Sequence, residues 1–389
     1  MSPDPARPAD PDALRLGMVA GETSGDLLAS LLLRGLKQRW PSLTAAGIGG
    51  PRMIGLGLDA WWPAEKLSLF GYVDVLMHYR ELVGIRNALG DRLIAEKPDV
   101  FVGVDAPDFN FGLEKRLKDA GIKTVHFVCP SIWAWRGERV HTLGASADHV
   151  LCLFPFEPDL LRAHGIKATY VGHPLAQVIP FEPDKAEARR QLNLPETAQV
   201  VALLPGSRRS EIKLIAPRVL AAAAILHRQR AGLRFVLPVA PGMRGLVEPL
   251  LLRHAPGVPV DLLEGRSHEA LAACDVTVVA SGTATLEAAL FKRPMVITYV
   301  VNWFNALRMK RLRLQPWVGL PNVLCRDFVV PELLQDDATP EALARATIAW
   351  LDEEPRREAV RVRFNELHEL LRRDTVRESA DAIAQVVKA

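Results

Sequence analysis

Residues 276–287 read Val276-Thr277-Val278-Val279-Ala280-Ser281-Gly282-Thr283-Ala284-Thr285-Leu286-Glu287. The first five leave no polar face, so they suit a strand buried on both sides rather than one with a wet side. Gly282 then permits a tight turn, and the following residues start a helix. A strand, a glycine loop and a helix in that order are one unit of a parallel sheet covered by helices. The pattern recurs. Residues 200–204 run into Pro205-Gly206-Ser207-Arg208-Arg209-Ser210-Glu211, and residues 14–21 run into Gly21-Glu22-Thr23-Ser24-Gly25-Asp26. Further strands are expected at 100–104, 124–128, 149–154 and 168–171, then at 235–239, 260–263 and 295–300. Helices are expected at 27–39, 81–95, 213–230 and 268–274. The apolar positions Leu82, Ile85, Leu89 and Leu93 have helical spacing.

The alternation breaks once. Residues 173–184, HPLAQVIPFEPD, hold three prolines and no period, as an interdomain linker would. After residue 340 only helical pattern remains, at 340–353, 356–372 and 375–387. The expected organisation is a disordered tail over 1–13, an N-terminal Rossmann-like domain over 14–175, and a C-terminal Rossmann-like domain over 176–355. Helices over 356–389 would pack back on the N-terminal domain or on a dimer partner. The fold class is α/β, with two doubly wound domains and a cleft between them.

Composition narrows the function. The chain has 389 residues, 49% of them apolar and 24% charged, with a mean hydropathy of +0.08, so global disorder is excluded. The longest apolar run, 219–226, falls well short of the ~18 residues that cross a bilayer. The first dozen residues hold no apolar core of a signal peptide. Four cysteines without a C-x-x-C pair exclude a disulfide scaffold or zinc ribbon and fit a reducing cytosol. A net charge of +3 is too balanced to suggest nucleic acid. The charge is uneven, however: Arg308, Lys310, Arg311 and Arg313 interleave with Leu307, Met309, Leu312 and Leu314. Such a segment is either a solvated helix face or a surface for an anionic membrane.

In doubly wound sheets ligands bind beyond the carboxyl ends of strands. Asp105 ends the strand 100–104. Poor solvation there would favour its neutral form and make it a better proton acceptor, as a base for an acceptor hydroxyl must be. Asp108 suits a helix cap equally well. Glu22 and Asp26 stand at a helix start, where they are loop ligands or caps. Trp133 and Trp135 line a groove or form a local apolar cluster. Gly206, Ser207 and Arg208 suit a diphosphate clamp of backbone donors and guanidinium, the alternative being an exposed ion-pair role. Ser281, Gly282 and Thr283 form an anion site at a helix start, with Glu287 one turn in to reach ribose hydroxyls. His173 reads as structural. No metal site and no cofactor are expected; arginine and helix dipoles would neutralise the leaving diphosphate. Residues 67–79 are apolar on more than one face. Leu69, Phe70, Val73 and Leu76 there either bury in a helix or meet acyl chains and lipid.

The ordered motifs GETSGD, GVDAPDFN, PSIWAWR, LLPGSR, ASGTATLE and LPNVLC closely resemble the lipid-A-disaccharide synthase family, inverting glycosyltransferases of family 19 with a GT-B-like fold. The resemblance spans residue 14 to the C-terminus. It implies condensation of UDP-2,3-diacylglucosamine with 2,3-diacylglucosamine 1-phosphate (lipid X) to a β-1,6-linked disaccharide 1-phosphate and UDP. It implies work on the cytoplasmic face of the inner membrane of Gram-negative cells, and dimers that can exchange C-terminal parts. The family's essential aspartate falls on Asp105, its PGSR arginine on Arg208 and its N-terminal loop glutamate on Glu22. The nucleotide segment falls on Ser281, Gly282, Thr283 and Glu287, and the LPN asparagine on Asn322. Two alternatives stand: another GT-B-like UDP-N-acetylglucosamine enzyme (a 2-epimerase or muramyl-lipid transferase), or a non-catalytic nucleotide-sugar or lipid-binding protein.

Overall fold

The computed structural model describes residues 13–21, 23–67 and 72–389. The chain forms two units, residues 1–174 with 371–389, and residues 175–370. Among the described residues no helix is long and apolar enough to cross a membrane.

The first unit is a seven-stranded sheet of β1 (Arg15–Ala20), β2 (Thr44–Gly49), β3 (Leu58–Pro63), β4 (Val100–Val104), β5 (Lys123–Phe127), β6 (His149–Cys152) and β7 (Ala168–Tyr170). Its order is β3-β2-β1-β4-β5-β6-β7, and every pairing is parallel. β4, VFVGV, is buried along its whole length, as its composition predicts. Ile85, Leu89 and Leu93 of helix Tyr72–Glu96 pack with Phe101, Leu113 and Leu117 in one core cluster. A second cluster joins Phe111, Cys129, Leu143, Val150 and Cys152.

The second unit is a six-stranded parallel sheet of β8 (Val200–Leu204), β9 (Arg234–Val239), β10 (Val260–Glu264), β11 (Val276–Ala280), β12 (Met295–Tyr299) and β13 (Glu332–Leu334). Its order is β10-β9-β8-β11-β12-β13. Helix Arg209–Gln229 buries Ile212, Ile215, Val219, Leu220 and Leu226, the stripe that a 3.6-residue period gives. Helix Pro340–Asp352 packs on it, and the buried Trp350 donates its indole N–H to the Met295 carbonyl at 2.9 Å.

The last two helices divide between the units. Helix Glu354–Leu371 stays with the second, where His368 is buried and bonded to the Ala176 carbonyl. Helix Thr375–Lys388 belongs to the first, with Asp381 3.8 Å from Arg39 of helix Thr23–Arg39. Within the stretch read as a linker, residues Pro174–Val178 form a short helix.

Each sheet reverses its winding once, between β1 and β4 in the first unit and between β8 and β11 in the second. Doubly wound sheets open a crevice at that reversal. Register sets the two exits side by side: Ala20 pairs with Val104, and Leu204 with Val279.

Candidate active site

Asp105 leaves β4 at the reversal of the first sheet. Its backbone and that of Ala106 are both left-handed, with φ of 51° and 44°. Each costs an L-residue on the order of 1–2 kcal/mol, so the surrounding bonds must hold them there. The Asp105 amide donates to the Phe127 carbonyl at 2.9 Å, and the Asn110 side-chain amide donates to the Asp105 carbonyl at 2.8 Å. Asn110 is fully buried in the first turns of helix Pro107–Asp119. Below it lies a second buried pair, Glu114 Oε1 with His126 Nδ1 at 2.7 Å. Asp105 itself is half-buried.

The loop after β1 adjoins this corner. Gly21 lies against Leu67 and Ala106, and Gly25 against Ala20 and the Val104 carbonyl. Asp26 caps a neighbouring helix rather than facing the crevice: its carboxylate accepts from the amides of Gly50, Arg52 and Met53 at 3.0–3.2 Å, at the start of helix Pro51–Gly55. Asp108 is exposed and ion-paired to Arg139; it makes no cap, the N-cap position being Ala106. Glu22, Leu69 and Phe70 lie outside the described residues, as do the side chains of Val73 and Leu76, whose backbone is in helix Tyr72–Glu96.

β5 is also followed by a left-handed residue, Val128, with φ of 82°. For a β-branched residue this is a marked outlier. It turns the chain into the PSIWAWR loop. Trp133 packs edge-on against Phe154 and Phe156 and donates to Glu157 Oε1 at 3.0 Å. Burial pushes the Glu157 carboxyl up to about 8, against the pull of the Phe154 amide and Trp133 indole that bond to it. Trp135 is 40% exposed under the Arg136 guanidinium. His173 is buried against Phe154, and burial pushes it down to about 3. It is a neutral packing residue, as its sequence context suggests.

In the second unit the turn after β8 holds Gly206 with φ of 109°, a conformation that favours glycine. The Glu211 carboxylate accepts from the amides of Ser207 and Arg208 at 3.1 and 3.2 Å. These are the backbone donors that the sequence assigns to a diphosphate, so a carboxylate occupies them here. Glu211 stands three residues after Arg208, the N-cap of helix Arg209–Gln229. That is capping-box spacing, and it was a legible signal. Burial raises the Tyr299 phenol, with Glu211 reinforcing the shift and Arg208 opposing it.

After β11, the Ser281 amide donates to the Thr298 carbonyl and its hydroxyl to the Val318 carbonyl at 3.3 Å. Gly282, with φ of 145°, and Thr283 are exposed, and a Cβ on Gly282 would meet only open space. The start of helix Thr283–Leu290 therefore presents accessible space for an anion. The Glu287 carboxylate lies 3.7 Å from His268 Nε2; burial raises its pKa and His268 lowers it.

Asn322 is fully buried and its amide is used internally. Nδ2 donates to the Val330 carbonyl and to Glu332 Oε1, both at 2.9 Å, and Oδ1 accepts from the Val330 amide. Glu332 also accepts from the amides of Val318 and Gly319. Glu332 and Asn322 thus fix the loop at 318–322 that receives the Ser281 hydroxyl. Nothing in the sequence marked Glu332 for this role.

Two parallel doubly wound units, each with its polar loops at the winding reversal, define a GT-B-like fold. Solved structures agree. The S. aureus MnaA–UDP co-structure matches with a TM-score of 0.69 at 11% identity over 96% of each chain. Neisseria meningitidis UDP-GlcNAc 2-epimerase bound to UDP-GlcNAc gives 0.65 at 11% identity, over 97% of this chain and 100% of that one. Acinetobacter baumannii MurG gives 0.58 at 12%, over 95% and 99%. At these identities only the fold is shared.

The family is set by sequence. A family model described as Lipid-A-disaccharide synthetase matches residues 16–387. The lipid-A-disaccharide synthase of Albidiferax ferrireducens is 56% identical over 96% of this chain and 98% of its own length. That of Verminephrobacter eiseniae is 54% identical over 99% of both chains. The chain belongs to the lipid-A-disaccharide synthase family.

Proposed function

We propose that Asp105 is the general base of an inverting transfer that joins UDP-2,3-diacylglucosamine to lipid X. The activity follows from family membership: the chain is a glycosyltransferase that forms the lipid A disaccharide, and the 2-epimerase, muramyl-lipid transferase and non-catalytic readings are not favoured. The acceptor 6-hydroxyl attacks the anomeric carbon and gives its proton to Asp105, while the bond to UDP breaks. Arg208 and the helix start at Ser281–Thr283 stabilise the departing diphosphate, with Gly206 and Ser207 shaping the turn. Glu287 is read as the ribose contact, Glu22 as a further residue of the reaction site, and Asn322 as a residue that fixes the nucleotide loop.

One observation carries this reading. In each unit the polar loops leave neighbouring strands at the winding reversal, β1 with β4 and β8 with β11. The reading further takes the chain to work as a homodimer on the cytoplasmic face of the inner membrane, with Leu69, Phe70, Val73 and Leu76 meeting acyl chains. Each buried CH₂ contributes about 0.8 kcal/mol, so acyl chains can dominate substrate binding.

Mass spectrometry of the products formed from both acylated sugars tests the reaction. Asp105→Ala should abolish disaccharide formation and leave UDP binding intact. Substantial residual turnover would reject Asp105 as the base.

A further inference from the structure

Five of the nine large exposed apolar side chains among the described residues of the second unit fall between residues 303 and 328. Trp303 is 77% exposed, Leu307 62% and Leu314 60%, and Met309 and Phe328 are exposed beside them in sequence. Trp303, Leu307 and Arg311 stand four residues apart on helix Trp303–Leu312 and therefore share one face. Arg311 and Arg313 are exposed as well. Apolar surface gathered in this way marks a surface that something else covers.

Charge identifies the cover. No Asp or Glu occurs between Glu287 and Asp327, whereas Arg308, Lys310, Arg311, Arg313 and Arg326 all fall in that interval. A second copy docked by two-fold symmetry would set this cationic strip against itself. An anionic bilayer answers both features: its headgroups pair with the arginines and its acyl boundary takes the apolar side chains. Tryptophan is itself enriched at that boundary.

We propose that helix Trp303–Leu312, with residues 313–314, lies in the headgroup layer of an anionic membrane. Trp303, Leu307 and Leu314 enter the acyl boundary, and Arg311 and Arg313 stay at the phosphates. The inference rests on the reading of the chain as a membrane-surface enzyme, and it gives the second unit a contact of its own, apart from residues 69–76 of the first.

The test is co-sedimentation of the full chain with vesicles of phosphatidylethanolamine and phosphatidylglycerol in equal parts, and with phosphatidylcholine alone. The wild type should sediment with the anionic vesicles and far less with the zwitterionic ones. The variant Trp303→Ser/Leu307→Ser should partition about tenfold less. Arg311→Gln/Arg313→Gln should lose about tenfold at low salt and less at high salt, where the headgroup attraction is screened. Both variants should still form disaccharide from detergent-dispersed substrates, which also shows that they fold. Unchanged sedimentation of both variants would overturn the proposal. So would a shift in oligomeric state caused by the same substitutions without lipid, since that would make the patch a contact between copies. Failure of the wild type to form disaccharide in detergent would instead reject the assigned reaction, whatever the vesicles show.

Discussion

Gly103→Ala tests whether the scaffold under Asp105 sets the rate. Gly103 is buried in β4, two residues before Asp105. A Cβ there would stand 2.1 Å from Glu114 Oε1 and 3.1 Å from Asn110 Cβ and Cγ. To reach ordinary contact one partner must retreat by about 1 Å, and such overpacking costs ~1–3 kcal/mol. Glu114 is fully buried and bonded to His126, so its retreat must shift helix Pro107–Asp119, which also carries Asn110. Asn110 is then displaced, and its amide holds the Asp105 carbonyl against the left-handed turn. A misplacement of ~1 Å in a reacting group can cost about 100-fold in rate. The expected result is a kcat about 100-fold below wild type, with UDP affinity unchanged because the loops proposed to hold the nucleotide belong to the other unit. The assay is kcat at saturating detergent-dispersed substrates, with calorimetric titration of UDP as the control. A folded variant with wild-type kcat would refute the claim that this packing positions Asp105.

Glu332→Ala should loosen the loop at 318–322, because the amides of Val318 and Gly319 and the Asn322 side chain all lose their shared acceptor. At ~1 kcal/mol for each of these three donors, UDP affinity should fall by about 100-fold, read by titration calorimetry; an affinity within twofold of wild type would make the loop irrelevant to nucleotide binding. Two buried groups give a pH signature. Glu157, raised from 4.5 to about 8, holds in the folded state a proton that the unfolded chain releases, so its contribution is present below 4.5 and is lost as pH rises through 8. His173, lowered from 6.5 to about 3, contributes above 6.5 and loses that contribution as pH falls through 3. Between 4.5 and 6.5 the two slopes oppose each other, and above 6.5 only Glu157 acts. Stability should therefore fall by about 2 kcal/mol from pH 6.5 to 8 in denaturant melts, and Glu157→Gln should flatten that limb. An equal slope in both proteins would remove Glu157 as its source.

Most of the fold was legible because its central strands are buried on both faces. β1, β4, β8 and β11 are nearly unbroken apolar runs, and each is followed by a loop of small or polar residues. β2, β3 and β13 carry no clear strand pattern in the sequence, for physical reasons. β2 reads TAAGIG, a strand of small residues; a Cβ on Gly47 would lie 2.0 Å from the Met18 carbonyl oxygen, so the close approach of neighbouring backbone chooses its composition. β3 and β13 lie at sheet edges and are mostly half-buried, which weakens their pattern. The candidate site was legible in the same uneven way. An aspartate that ends a buried strand stands out in sequence, and so does a glycine turn followed by arginines. Which polar groups are already taken does not stand out, because that depends on where side chains point. Asn322 has the residue type of a ligand contact, yet all three of its bonds go to Val330 and Glu332. At the PGSR turn the consequence is chemical. Glu211 holds the Ser207 and Arg208 amides, so a diphosphate binding there must displace a carboxylate or rely on the Arg208 guanidinium. The Gly282–Thr283 helix start asks for no such displacement, since a Cβ on Gly282 would meet open space. In the reaction proposed above, the leaving diphosphate would be better served by that helix start, with Arg208 supplying charge rather than the turn supplying donors.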